Sequence, residues 1–394
     1  MSASLKKTAL HLFHLAQQAK MDAFAGYHMP ISYGRLGVLK EHLYTREVAG
    51  IFDVSHVGQY EVRGADRERF LEHVTPVDLQ RIRAGHGALT MLTNAQGGIK
   101  DDCIVTKMAD HLFLVLNAGC KEKDVAHMES VLRESAMKGA DVQLVPLDRS
   151  LIALQGPQAA AILSEFMDDV PGMGFMQCRQ RVNIKGMEVQ VTRCGYTGED
   201  GFELSVSNTD IVALVELLMS RKAEMIGLGA RDSLRLEAGL NLYGHELTED
   251  INPVAARFMW VISKRRMAEG GFIGYEPIKY LRDNASKGAV PRLRVGLVST
   301  GPVAREKTVI EVGGKPVGEV TSGCPSPCLK KNIAIGYLDR ELAKDGVKVD
   351  LVVRGRRVAA VVVTPPFVPA RYYRKPPVKG TEERRTPTIK NIAS

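Results

Sequence analysis

The chain has 394 residues, 45% hydrophobic and 25% charged, with 37 Gly and 18 Pro, a composition of an ordinary folded protein of two or three domains and not of a coiled coil, a collagen or a disordered chain. Its net charge of +8 is concentrated at the end, where residues 371–394 carry a net +5, so a basic tail accounts for the high pI without a nucleic-acid groove. No apolar run reaches the roughly 18–20 residues of a membrane span, Ile211–Met219 being broken by Glu216, and the reading is of no membrane and no nucleic-acid partner.

Residues 1–21, with Lys6, Lys7 and Lys20 and no acid before Asp22, read either as an organellar presequence or, as preferred, as a first helix capped by Thr8, with Leu12, Leu15, Ala16 and Ala19 on one face. From about residue 50 to 290, short strands alternate with helices. The strands are Gln59–Val62, Cys103–Thr106, Leu112–Asn117, Val142–Val145, Leu151–Leu154, Arg181–Ile184, Glu188–Arg193 and Phe202–Val206. The helices are Asp66–Val74, Lys121–Lys138, Gln158–Phe166, Asp210–Lys222 and Arg231–Leu240. Hairpin spacings mixed with long crossovers predict an α+β fold. Residues 293–364 read as Gly-punctuated strands, with turns at Gly313-Gly314 and Arg354-Gly355, and predict a separate small β-barrel domain. The stretch 375–394 reads as a mobile basic tail.

Six cysteines without a CxxC form no disulfide framework, and Cys324 and Cys328 lack the partners of a four-ligand zinc site. The ten histidines show no metal-ligand spacing, so no metal is expected. Three clusters carry chemistry. Asn94–Asp102 is a Gly-containing turn that delivers Asp101 and Asp102 to a strand, where alternation sends one acid into a pocket and the other elsewhere. Solvated turn acids are the plain alternative. Cys194–Glu203 spaces Gly195, Gly198 and Gly201 so that Tyr196 and Glu203 flank a flat ligand or close a tight turn. It is no dinucleotide fingerprint, because acids occupy the place of free N–H donors. Arg231 and Arg235 share a helix face with Glu237 just beyond, as a ligand fork or as surface charges. Ser55 and His56 are neighbours whose side chains point apart, which leaves His56 structural or pocket-lining.

In this order the segments Phe52–His56, Thr93–Asp102, Asn117–Asp124, Leu154–Pro157, Arg193–Gly201, Ala230–Gly239, Thr321–Pro327, Lys330–Tyr337 and Pro366–Pro369 with Tyr372-Tyr373 resemble the aminomethyltransferase, or T-protein, family of the glycine cleavage system. The resemblance covers residues 5–375 and is to the mitochondrial eukaryotic type. It implies a three-lobed folate-binding fold, with two lobes in residues 5–288, a β-barrel in 289–374 and the tail in 375–394. It implies transfer of the methylene of an aminomethyl group on lipoyl H-protein to tetrahydrofolate, giving 5,10-methylenetetrahydrofolate, ammonia and dihydrolipoyl H-protein. It further implies functional association with the P- and L-proteins, no metal, no flavin, and a place in the mitochondrial matrix.

Carried onto this sequence, the resemblance makes Asp101 the essential acid. Glu203, Arg231 and Tyr196 would hold substrate, Asn117 the pterin, and Tyr372 would close the site, with Val57, Leu89 and Trp260 as channel wall. Tyr27-His28 and Val57 depart from the family pattern of Trp after Gly26 and Met after His56. The folate lobe of dimethylglycine or sarcosine dehydrogenases is set aside because no GxGxxG opens the chain. A folate-binding protein without transferase activity remains the alternative of another class.

Overall fold

The computed structural model describes residues 4–134 and 137–374; the tail expected at 375–394 lies outside the described residues. Helix α1 (His11–Ala16) leads into a hairpin of β1 (Ala19–Phe24) and β2 (Tyr27–Tyr33), then α2 (Gly37–Glu47) and β3 (Gly50–Asp53). Next come β4 (Gly58–Arg63), α3 (Arg67–Val74), β5 (His86–Thr93), β6 (Ile99–Lys107), β7 (Leu112–Leu116), α4 (Lys121–Glu134) and β8 (Gln143–Pro146). They are followed by β9 (Arg149–Gln155), α5 (Ala159–Ser164), β10 (Cys178–Ile184), β11 (Met187–Thr192), β12 (Gly201–Ser207), α6 (Ile211–Met219), β13 (Glu224–Met225) and α7 (Leu228–Glu237). After α8 (Lys264–Glu269) and α9 (Tyr275–Asp283) the chain is all strand: β14 (Arg292–Ser299), β15 (Val309–Val312), β16 (Lys315–Ser326), β17 (Lys331–Asp339), β18 (Lys348–Val353) and β19 (Arg356–Val363).

Besides the two-stranded sheet of β1 and β2, three larger sheets organise these elements, in the expected α+β, three-lobed arrangement. The first is six-stranded in the order β10-β11-β12-β9-β3-β13, the second five-stranded in the order β5-β6-β7-β4-β8, and the third a closed barrel, β14-β17-β16-β15-β18-β19. Strand β9 is central in its sheet and buried from Ser150 to Gln155, as its unbroken apolar run requires. Strand β19 instead alternates, with Val358, Ala360 and Val362 turned into the barrel core. Helix α6 buries Ile211, Leu214, Val215 and Leu218 on one stripe, each such side chain contributing roughly 1.5–3 kcal/mol of burial free energy. Among the described residues no helix is long and apolar enough to cross a membrane.

The amino terminus departs from the expected apolar helix. Leu12 is 76% exposed, while His11 and His14 are the buried positions of α1. Gln18 adopts a left-handed φ of 56° that ends the helix and turns the chain into β1. Thr8 does not cap the helix with its side chain; its hydroxyl donates to Asp53 Oδ2 at 2.7 Å, the oxygen that also meets His14 Nε2 at 2.9 Å. Tyr33 hydrogen-bonds the other ring nitrogen of His14, so a buried polar chain pins α1 to β3.

Helix α7 is the junction of the lobes. Its Arg235 is buried, ion-paired with Glu246 at 2.8 Å and bonded to Ser322 of the barrel at 2.9 Å. Its Glu237 accepts from Arg46 of α2, from Ser326 Oγ and from the Cys328 amide. The strap after β19 returns along the same helix, the amides of Phe367 and Val368 donating to the Glu237 carbonyl.

Candidate active site

The turn that opens β6 is built by Asn94, whose side-chain oxygen accepts the amides of Gln96 and Gly98. Gly98 is required there because a Cβ would run into the Glu249 carbonyl. Beyond it, alternation separates the two acids as expected, and the register decides which goes where. Asp101 shares its strand face with Cys103 and Val105, which pack into the second lobe's core, and it is 0% exposed. Asp102 lies on the opposite face, across from Met91 and on the side of Leu89, and is only half-buried. The acid expected in the pocket is therefore the one turned inward.

Asn117 ties the pair together. Its Nδ2 lies 2.9 Å from Asp101 Oδ1 and 3.0 Å from Asp102 Oδ1, and its amide donates to Asp101 Oδ2 at 3.3 Å. Burial, and then the charge of Asp101, push the Asp102 carboxyl up to about 7, so this acid exchanges its proton near neutrality.

Across from β6, the loop between β11 and β12 and the first turns of α7 supply the remaining groups. The Arg231 guanidinium lies over the Tyr196 ring at 4.8 Å and near Phe52, and its Nη1 is buried without a hydrogen-bond partner among the described residues. Burial raises the Glu203 carboxyl while the Arg231 charge opposes it. The Tyr196 hydroxyl donates to the Asn241 carbonyl, and its ring feels the charges of Arg235, Asp102 and Arg231. Gly195 is held tight by Gln155, into which a Cβ at that position would collide.

Two further groups lie near Arg231 and Tyr196: His56, read from the sequence as structural or pocket-lining, and Asn241, which was not read at all. His56 is buried, pushed down to about 4 by burial and hence neutral, and its Nδ1 has no partner among the described residues. Asn241 Oδ1 is likewise buried and unpartnered. His56 stood in a motif legible in the sequence, whereas nothing in the local pattern singles out Asn241. Lys121 fixes the His56 neighbourhood by donating to the His56 carbonyl at 2.8 Å and to the Tyr27 hydroxyl at 2.9 Å.

The other expected residues divide. Tyr372 packs on Phe175 with centroids 4.9 Å apart, next to Arg371, whose amide donates to the Gly198 carbonyl and whose guanidinium reaches Glu199 at 2.6 Å. The strap thus lies against the loop that carries Tyr196. Leu89 shares the face of Asp102, and Val57 packs on Phe52 and Val54. Trp260 is 68% exposed and packs edge-on against Phe258, so it is no buried wall. Arg235, which sequence spacing paired with Arg231, is a buried strut between lobes.

His42, Glu237 and Cys328 also lie close together, but Arg46 occupies the Glu237 oxygen that faces His42, and the group is an ion-pair network between lobes. Two open grooves of about 520 and 1030 Å3 run along the barrel near Thr300 and Lys331 and include none of the residues around Asp102. Around Tyr196 the structure therefore brings together the cationic fork of Arg231 with its free donor, Asn241 with its free amide oxygen and the charge of Asp102, with the neutral His56 imidazole within the field of Arg231. That set suits a flat ligand with several donors and acceptors.

Residues 10–266 match the family described as the GCVT N-terminal domain, and residues 292–369 the glycine cleavage T-protein C-terminal barrel domain. The chain is 43% identical over 385 residues to the mitochondrial aminomethyltransferase of Dictyostelium discoideum, covering 94% of both chains. It is 46% identical over 380 residues to that of Pisum sativum and 43% over 373 residues to that of Homo sapiens, covering 94% of this chain and 91% of each relative. The crystal structure of glycine cleavage system aminomethyltransferase T from Bartonella henselae superposes with a TM-score of 0.86 at 38% identity, over 94% of this chain and 100% of that one.

Proposed function

Because the chain belongs to the glycine cleavage T-protein family and is an aminomethyltransferase, we propose that its substrates are the aminomethyl group on lipoyl H-protein and tetrahydrofolate, with Asp102 as the reacting acid. Tetrahydrofolate accepts the methylene, and the products are 5,10-methylenetetrahydrofolate, ammonia and dihydrolipoyl H-protein. The donor set fits the folate: the unpartnered Arg231 Nη1, Asn241 Oδ1 and His56 Nδ1 match the edge of a pterin, and Tyr196 and Phe52 offer flat apolar faces.

The observation that carries the assignment is the half-buried Asp102, held by Asn117 on the strand face opposite the core, with burial and then the Asp101 charge pushing its carboxyl up to about 7. As a carboxylate it takes a proton from an amine entering reaction and stabilises the cationic character that develops there; as an acid it returns the proton to departing ammonia. Asn117 fixes its orientation, Arg231 and Glu203 hold substrate by charge, and Tyr372 covers the loop of Tyr196. Asp101 belongs to the same unit as the inner charge that sets Asp102. The division at residue 288, the mitochondrial matrix as compartment, and association with P- and L-proteins are parts of this reading, supported by the mitochondrial relatives.

The test is turnover of purified enzyme with aminomethyl-loaded H-protein and tetrahydrofolate, following ammonia and 5,10-methylenetetrahydrofolate together. Stoichiometric release of both, abolished in Asp102→Asn but measurable in Asp101→Asn, is the expected result. The reverse order of the two variants moves the acid to Asp101; folate binding without either product removes the transferase mechanism.

A further inference from the structure

The strap that follows β19 carries a cation that the chemistry above leaves without a task. Over residues 364–374 the chain has neither helix nor strand, and none of these residues is fully buried. Its main chain is tied down at Phe367 and Val368, whose amides donate to the Glu237 carbonyl, and at Arg371, whose amide donates to the Gly198 carbonyl at 2.7 Å. Core packing does not hold such a segment, so its few specific contacts decide where it lies.

Three consecutive side chains make those contacts. The Arg371 guanidinium donates to Glu199 Oε1 twice, from Nε at 3.1 Å and from Nη2 at 2.6 Å. Nη2 also donates at 2.9 Å to the Arg46 carbonyl in the last turn of α2, where a cation meets the negative end of the helix. Tyr372 packs on Phe175, and the ring of Tyr373 covers the Arg193 guanidinium at 3.9 Å from its centroid. Arg193 is itself fixed by Asp200. The two neighbours of Tyr372 thus grip the loop of Tyr196 near both its ends, one at Gly198 and Glu199, the other at Arg193.

Electrostatics single out Arg371 among the three. Glu199 is buried, and one of its oxygens meets Arg46 from within and Arg371 from the solvent side. Arg46 is shared with Glu237, so Glu237, Arg46, Glu199 and Arg371 alternate in sign along one line of contacts. With the strap displaced, the two buried carboxylates would have that one guanidinium between them, an unfavourable state away from water. The pairing therefore draws the strap down. About half of the Arg371 side chain, 52%, stays in solvent, so the contact breaks and re-forms without opening a core.

We propose that Arg371 is a positioning residue for the transfer: by fastening the strap to Glu199 and to the end of α2 it holds Tyr372 against the loop of Tyr196, closed over the bound tetrahydrofolate. The inference rests on tetrahydrofolate as the ligand and on Tyr372 covering its site. Unfastened, the strap lifts and the ligand leaves more readily while the reacting groups stay where they are, so affinity changes more than chemistry.

Two measurements on the full chain test it. Hydrogen–deuterium exchange without ligand, read on peptides spanning residues 366–374, reports the fastening. Exchange there is expected to be about tenfold or more faster in Arg371→Ala than in the parent, with β9 and β14 unchanged, and intermediate in Arg371→Lys, which keeps the charge but not the two-donor fork. Equal exchange in parent and Arg371→Ala overturns the proposal. Steady-state turnover with aminomethyl-loaded H-protein reports the consequence. The KM for tetrahydrofolate is expected to rise about tenfold in Arg371→Ala and about threefold in Arg371→Lys, with kcat within about threefold and Tm within about 2 °C of the parent. Faster exchange with an unchanged KM would make Arg371 an anchor of the chain end alone, and a fall in kcat with KM unmoved would place it in the chemistry; each overturns the proposal. A parent protein that binds no tetrahydrofolate in calorimetry would instead remove the ligand, and exchange in the strap would still decide the fastening.

Discussion

Replacing Asp102 by Asn is expected to abolish turnover and at the same time to stabilise the protein, increasingly as the pH rises. The carboxyl has an ordinary value of 3.8 and is pushed up to about 7 in the fold, by burial and by Asp101. Below the ordinary value both folded and unfolded chains hold the proton and the group is neutral in its effect. As pH rises from there, the unfolded chain releases a proton that the native state retains, so stability falls until about pH 7 and is level above it. Three units at about 1.36 kcal/mol each give about 4 kcal/mol, and the coupling to Asp101 brings the working range to about 2–4 kcal/mol. Asn carries no such penalty. Thermal unfolding of parent and variant at about pH 5 and about pH 8 reads the difference, and each kcal/mol corresponds to about 2–4 °C in a protein with domains of this size. A stabilisation that grows between the two pH values supports the argument. A difference independent of pH, or a variant less stable than the parent at the higher pH, would refute the claim that Asp102 is held protonated by its surroundings.

Arg231→Ala removes a donor that has no partner in the protein, so its main effect falls on substrate affinity, a rise in KM of about tenfold to a hundredfold with a smaller change in kcat; an unaltered KM would sink the assignment. Arg46→Met takes the buried guanidinium from Glu237, and from Glu199, which then keeps only Arg371, and should cost about 3–5 kcal/mol in urea unfolding, whereas a loss under 1 kcal/mol would show the network to be dispensable. Despite its burial, Glu237 is held down at about 2 by His42, Ser326 and Arg46, so its contribution is complete above its ordinary value of 4.5 and is lost as pH falls towards 2; acid unfolding of Glu237→Gln should be correspondingly flatter. Trp260→Ala, at an exposed side chain, should leave the Kd for tetrahydrofolate within about twofold by fluorescence-independent calorimetry, and a larger loss would restore it to the ligand's surroundings.

The barrel and most strands of the two larger sheets were legible because their apolar residues alternate or run unbroken, as in β19 and β9, whereas β3, β5 and β13 were not read as strands. Helix α1 was read but with the wrong face buried, and α2 was not read at all, for a common reason. What α2 buries is Glu41, His42, Thr45 and Arg46, while Leu39 stays 59% exposed, so a search for an apolar stripe finds the wrong face or none. These helices are fixed by ion pairs and hydrogen bonds to β3 and α7, partners far away in the chain. The same limit applied at the site. Period two predicted that Asp101 and Asp102 part, but their destinations follow from Cys103 and Val105 lying in a core on one side and Tyr196 and Arg231 arriving on the other. Asn241 was invisible because only its unpartnered oxygen, in a folded neighbourhood, marks it.

The order of strands in the first sheet has a bearing on how the molecule is made. Strands β4 to β8 form the second sheet from one unbroken stretch, whereas β3 waits for β9 and β13, with the whole of that stretch between β3 and β9. During synthesis the second lobe can therefore close as soon as Pro146 has emerged, while the first sheet must hold an open edge until Glu224 and Met225 arrive. Closing over the intervening lobe adds little entropy once that lobe is compact, since each doubling of a flexible loop costs only about 0.6 kcal/mol. Asp102 thus rides on the part of the chain that matures first, Tyr196, Glu203 and Arg231 reach it only after some hundred further residues, and the strap of Tyr372 comes after the barrel. A half-made chain therefore carries the half-buried Asp102 before the residues that come to face it have been made.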